Sequence, residues 1–201
     1  MKRARHDIEA QGALHPKRLG RFTASSAAKL FMKPATTGYK DAIASVAYER
    51  VTGVQPEGSF QGNFWTERGH ELEAWAVALY EVETFTTVNK AGFWTLGEWF
   101  GASPDGEIEP DGLFEGKAPK FTTHMGYLND GVIPRAYRWQ LVMQMLVCDR
   151  DWVDFQSYDE HLPAFRIRAH RDEKAESDLL EQLWIAVEQA EGLIDKLKRG
   201  K

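Results

Sequence analysis

The spacing of apolar and polar positions divides the chain into a helical opening, a strand-rich centre and a long closing helix. Thr23 suits the cap of a short helix over residues 24–32 that stops before Pro34, and residues 39–51 form a second helical stretch ended by Thr52-Gly53. Residues 54–62, with Pro56, Gly58 and Gly62, read as a loop. From Thr66 to Val82 the spacing predicts a helix with Leu72, Trp75, Ala76, Leu79 and Tyr80 on one apolar face. Residues 84–88, 92–96, 99–108 and 112–117 then read as strands, the last two joined by the Glu109-Pro110-Asp111 turn. A helix over 136–147, strands over 152–158 and 164–169, and an amphipathic helix over 172–198 complete the chain. This order predicts an α/β fold (mixed α+β), with a central mixed β-sheet flanked by helices.

Residues 1–15 are polar and aperiodic, which predicts a flexible N-terminal arm ahead of a single domain over 16–201. The 201 residues include seven Trp and eleven Phe, apolar surface enough for a core without disulfides. The lone cysteine, Cys148, ends an apolar run and reads as a buried, reduced thiol. No apolar run approaches the roughly 18 residues of a spanning helix, and the basic start lacks the apolar segment of a secretory signal. These features predict a cytoplasmic protein with no membrane partner. The net charge of -5 argues against coating nucleic acid through a global basic field. It leaves room for an enzyme that cuts nucleic acid, whose metal-binding carboxylates add negative charge.

Asp105, in Ser103-Pro104-Asp105-Gly106, and Glu115-Gly116-Lys117 fall in neighbouring strand-like segments. Both carboxylates can therefore approach one point, and Glu115 and Lys117 alternate along a strand to share one face. Two carboxylates with few nitrogen or sulfur ligands nearby suit a hard cation such as Mg²⁺ or Mn²⁺. Such an ion polarises a phosphate and activates bound water, while Lys117 can orient or deprotonate that water and offset developing charge. Taken alone, Asp-x9-Glu-x-Lys is equally the pattern of a turn aspartate and a solvated ion pair. The six histidines show no paired ligand spacing for zinc, and no Gly-rich phosphate loop marks an ATPase. Trp65, Trp94, Trp99 and Trp139 read as core or subunit contacts.

Five collinear blocks change the weight of that pattern: Arg18-Leu-Gly-Arg-Phe-Thr-Ala-Ser25, Gly69-His-Glu-Leu-Glu73 with Ala78-Leu-Tyr-Glu81, Ser103-Pro-Asp-Gly106, Glu115-Gly-Lys-Ala-Pro119 and Tyr137-Arg-Trp-Gln140. In these the chain resembles the lambda-type phage exonucleases and the related YqaJ-like recombinase nucleases, a branch of the PD-(D/E)xK superfamily with a restriction-endonuclease-like core. The resemblance implies that Glu73 completes the metal site with Asp105, Glu115 and the Gly116 carbonyl. A helical wheel alone leaves Glu71 and Glu73 open, each about 100° from the centre of the apolar stripe. The resemblance also implies that Arg18, Ser25 and Ser103 bind a 5′-terminal phosphate, and that Gln140 contacts Lys117, the water or a substrate phosphate; Tyr137 reads as packing. Arg18 suits this as a fork of donors, and Ser25 lies in the first turn of a helix whose free N–H groups favour an anion.

The implied activity is a 5′→3′ exonuclease that uses one or two Mg²⁺ ions, with Mn²⁺ as a substitute, to resect one strand of linear duplex DNA for recombination by strand annealing. The implied setting is a homotrimeric ring, beside a single-strand annealing protein, in the bacterial host cell of a phage. Gly116 departs from the family pattern, which has a bulky aliphatic there, and Ala118 stands where cysteine is common. Without an anchoring side chain at 116, the strand is predicted to be looser or locally bulged. A restriction-like or repair endonuclease and a catalytically silent DNA-end-binding protein are the rival readings.

Overall fold

The computed structural model describes residues 1–6, 16–56 and 64–199, with the backbone alone at 64–71 and 73. Its strands are β1 (Arg3–His6), β2 (Phe22–Thr23), β3 (Asn89–Lys90), β4 (Phe93–Leu96), β5 (Phe100–Ala102), β6 (Gly106–Ile108), β7 (Gly112–Lys117), β8 (Trp152–Ser157) and β9 (Phe165–His170). Its helices are α1 (Thr37–Thr52), α2 (Phe64–Thr84), α3 (Phe121–Asp130), α4 (Arg138–Cys148) and α5 (Glu173–Arg199), with a 3₁₀ helix over Ala24–Phe31. The fold is mixed α/β, but its strands form two sheets rather than one: β1-β4-β5-β2 and β3-β6-β7-β8-β9. Each is mixed, because β2 runs parallel to β5 and β7 parallel to β8 while the other pairs are antiparallel.

The predicted strand over 99–108 is in fact two, β5 in the first sheet and β6 in the second. Pro104 has no N–H to donate to a ladder, so Ser103-Pro104-Asp105 is where the chain changes sheets. The helix α2 runs through Thr84, which displaces the strand expected at 84–88 to Asn89–Lys90. Residues 3–6, expected within a flexible arm, pair with β4 from Arg3 opposite Leu96 to His6 opposite Phe93. Residues 7–15, 57–62 of the predicted loop, and residue 63 lie outside the described residues.

Helix α4 touches β4, β5, β8, α5 and the 3₁₀ helix, which places it inside the molecule. Every residue from Leu141 to Cys148 is accordingly buried. A smaller cluster of Tyr80, Ile108 and Phe114 lies on the other face of the second sheet, beneath α2. On α2, Leu72, Ala76 and Tyr80 are buried at four-residue intervals, whereas Trp75, expected on the same face, is 66% exposed. The stripe that packs is narrower than the apolar pattern suggested.

The Tyr80 hydroxyl donates to Asp154 Oδ2 at 2.6 Å, and Arg168 holds both oxygens of that carboxylate at 2.7 and 2.8 Å. Burial and the hydrogen bond to Asp154 push the Tyr80 pKa up to about 12 from 10.0. A folded-state value above the unfolded one means that the protonated phenol stabilises the fold fully below pH 10. That contribution is lost as the pH rises through the window from 10 to about 12. Tyr80→Phe should therefore lower stability by about 1.5 kcal/mol at pH 8, read from urea midpoints, and the gap should close across that window. Equal midpoints at pH 8 would show that the hydrogen bond contributes nothing.

Candidate active site

β7 and β8 pair in parallel, with Glu115 opposite Phe155, Gly116 opposite Gln156 and Lys117 opposite Ser157. Period-two alternation turns Leu113, Glu115 and Lys117 to one face and Phe114 and Gly116 to the other. The Glu115 face meets α4, and the carboxylate is 1% exposed. Its oxygens are met by three side chains. Oε1 accepts from Lys117 Nζ and, at 2.5 Å, from Gln140 Nε2, while Oε2 accepts from Gln144 Nε2 at 2.5 Å.

Asp105 sits one residue ahead of β6, whose Gly106 lies opposite Phe114, and so it lies alongside the same stretch of β7. Asp105 Oδ2 accepts from the Gly116 N–H at 2.8 Å and lies 3.8 Å from Lys117 Nζ. The Gly116 carbonyl accepts from the same ammonium at 3.0 Å. Three oxygens, from Asp105, Glu115 and the Gly116 carbonyl, thus surround one cationic atom, which is the donor chemistry a hard cation needs. Burial alone would lower the Lys117 pKa, but Glu115 and Asp105 outweigh it and hold the ammonium protonated above its ordinary range. The Tyr137 ring lies 5.7 Å from the same Nζ and otherwise packs against Phe155.

Gly116 introduces no bulge, since the ladder continues in register through Lys117. A Cβ there would stand 3.1 Å from the Phe114 ring and 3.8 Å from Asp105 Oδ2. The Gly116 N–H bond to Asp105 Oδ2 ties the strand to the neighbouring link at this point.

A second cluster forms where Arg18 Nη2 donates to Ser25 Oγ at 3.2 Å, with Thr23 Oγ1 3.3 Å from the same hydroxyl. Thr23 caps the 3₁₀ helix, and Ser26 bonds back to its backbone, so Ser25 stands exposed in the first turn. Burial lowers the Arg18 pKa against the pull of the Glu49 carboxylate. Ser103 is half-buried in the link between the sheets. Because β2 and β5 are parallel, with Thr23 opposite Gly101, the chain leaves both strands in one direction, toward Ser25 and toward Ser103. Glu73 lies on α2 with its side chain outside the described residues. Among the described residues, no group of three or more His, Cys, Asp and Glu forms a metal cluster.

Gln144 was missed from the sequence, although it is the one polar residue in Leu141-Val-Met-Gln-Met-Leu-Val-Cys148 and lies one turn from Gln140. His124 was also missed. It is fully buried, with Nδ1 2.7 Å from Ser157 Oγ and Nε2 3.0 Å from the Pro163 carbonyl. The carbonyl requires the proton on Nε2, so the serine hydroxyl donates to Nδ1. Ser157 is also fully buried, and this pair ties α3 to β8 rather than forming a nucleophile.

Solved structures resemble this arrangement. The alkaline exonuclease LHK-Exo from Laribacter hongkongensis is 34% identical, with a TM-score of 0.81 over 91% of this chain and 94% of that one. LHK-Exo in complex with dAMP is 33% identical, with a TM-score of 0.83 over 92% and 95%. A phage-related exonuclease from Haemophilus somnus 129PT shares the fold at 18% identity, with a TM-score of 0.72 over 88% and 96%. No curated protein matches the chain. The fold, its paired carboxylates and lysine, and these relatives define a nuclease acting on DNA. Residues 14–151 match the YqaJ-like viral recombinase domain, and the chain belongs to that family.

The site also makes a stability prediction. Lys117→Met would leave the Glu115 carboxylate without its cation. The expected cost is about 3 kcal/mol, the low end for a broken buried pair because 25% of the lysine side chain is open to solvent. Urea titration should show this loss, and Glu115→Gln in the same chain should recover at least half of it. A double variant no more stable than Lys117→Met would contradict the pairing.

Proposed function

We propose that the chain is a Mg²⁺-dependent 5′→3′ exonuclease that resects one strand of linear duplex DNA from a 5′-phosphorylated end. The observation that carries this reading is the convergence of Asp105, Glu115 and the Gly116 carbonyl on one cationic centre. Those three would hold one or two ions, completed by Glu73 from α2. When bound, such an ion would polarise the scissile phosphate and favour deprotonation of water. Mn²⁺ fits the same oxygen donors. Lys117 orients the attacking water and offsets the charge growing on the phosphoryl oxygens. Gln140 fixes the Glu115 oxygen that faces Lys117.

Arg18 and Ser25, with Ser103 beyond the parallel strand pair, supply donors for a terminal 5′ phosphate. A pocket that holds the end sets the scissile bond one step inside it, which is exonucleolytic cutting. The family resemblance supports a homotrimeric ring around the DNA, in which strand loss between cuts is prevented, and a single-strand annealing protein as partner for the 3′ overhang. The in-register strand at Gly116 supports an ordered site over a silent end-binding protein.

With Mg²⁺, the chain should convert linear duplex to 3′ single strands and leave covalently closed plasmid intact, and Asp105→Ala should slow this by at least about 100-fold. Equal loss of the closed circle would establish an endonuclease, and a wild type as inert as the variant would end the enzyme reading. Arg18→Ala should remove most of the difference in rate between 5′-phosphate and 5′-hydroxyl ends, with metal dependence unchanged. A retained difference would place the phosphate elsewhere.

A further inference from the structure

Gln144 occupies the interior of the fold at a position where an apolar residue would pack. It is fully buried in α4, within the run from Leu141 to Cys148 in which every other residue is apolar and buried. Its Nε2 donates to Glu115 Oε2 at 2.5 Å, yet its own Oε1 is buried with no hydrogen-bond partner among the described residues. Turning the amide over would set oxygen against carboxylate oxygen, so the orientation is dictated by Glu115. A buried amide that leaves its carbonyl unsatisfied opposes folding, which argues that packing is not why it is there. Gln140, one helical turn away, takes Oε1 of the same carboxylate. The two glutamines therefore grip the carboxylate at both oxygens and fix the plane in which it lies.

We infer that Gln144 is a positioning residue for the reaction: it holds Glu115 Oε2 so that Oε1 stays turned toward Lys117 Nζ, the atom that Asp105 Oδ2 and the Gly116 carbonyl also approach. This rests on the metal-dependent nuclease reading above, and it concerns a residue that does not touch substrate. Without Gln144, the remaining tethers from Lys117 and Gln140 both act on Oε1, which leaves Oε2 unheld and the carboxylate plane free to turn. Preorganised donors lose their effect when a ligand must be reoriented at each turnover.

The test uses Gln144→Met, close in volume, with Gln144→Leu as a second variant. Calorimetric titration of Mg²⁺ into the full, DNA-free chain is run beside steady-state digestion of 5′-phosphorylated duplex. Both variants should bind Mg²⁺ about 10-fold more weakly and lose about 10–100-fold in kcat. The KM for DNA should stay within about twofold, because the DNA contacts are untouched. Their urea midpoints should remain near wild type, since the unsatisfied Oε1 is removed with the donor. Wild-type Mg²⁺ affinity and kcat in a folded variant would overturn the inference, and so would loss of the fold in both, which would assign Gln144 to stability. A wild type that neither binds Mg²⁺ nor digests DNA would instead overturn the nuclease reading itself.

Discussion

A single buried carboxylate, Glu115, sets the terms for the structure around it. At 1% exposure an ionised group must be compensated by neighbours, and here one ammonium and two amides meet it. Lys117 arrives by strand alternation, and Gln140 and Gln144 arrive by helical periodicity on α4. Helix and strand must therefore lie at a fixed distance and rotation, and α4 is held there by both sheets and α5. The same packing that gives the molecule its core fixes the reactive group.

The change of sheet at Ser103-Pro104-Asp105 serves the site in a second way. A continuous strand would have placed Asp105 within a ladder, with its neighbours alternating regularly. The break frees it to bond the Gly116 N–H and approach Lys117. The parallel pairing of β2 with β5 carries the Arg18–Ser25 cluster and Ser103 out from the same end of the first sheet. The Arg18–Ser25 cluster and the carboxylates around Lys117 are thus linked through one short segment of chain.

Much of this was legible in the sequence where period and punctuation agree. β7 has the bounds that its turn and alternation predicted, and α1 and α5 differ by a residue or two. Arg3–His6 was not legible because each side chain of that edge strand is exposed or half-buried, so no apolar alternation marks it, and its ion pairs such as Arg5 with Glu107 join residues far apart in sequence. The helix α3 was missed for a similar reason, since Phe121, Met125 and Leu128 are exposed and its one buried residue is His124. Residues 99–108 read as one strand, although the segment around Pro104 divides two sheets. At the site, Asp105, Glu115, Lys117 and Gln140 lie together, but Gln140 bonds Glu115 Oε1 where the resemblance implied Lys117, the water or a substrate phosphate. Gln144 was passed over because an isolated amide in an apolar run carries no motif, and its meaning comes only from what lies across from it.

The most direct measurement of the central claim is anomalous diffraction from crystals of the chain soaked in Mn²⁺. A peak is expected within about 2.3 Å of an Asp105 oxygen and of Glu115 Oε1, with the Gly116 carbonyl beside it. Mn²⁺ bound at full occupancy elsewhere, with these oxygens empty in crystals of an active enzyme, would contradict the account.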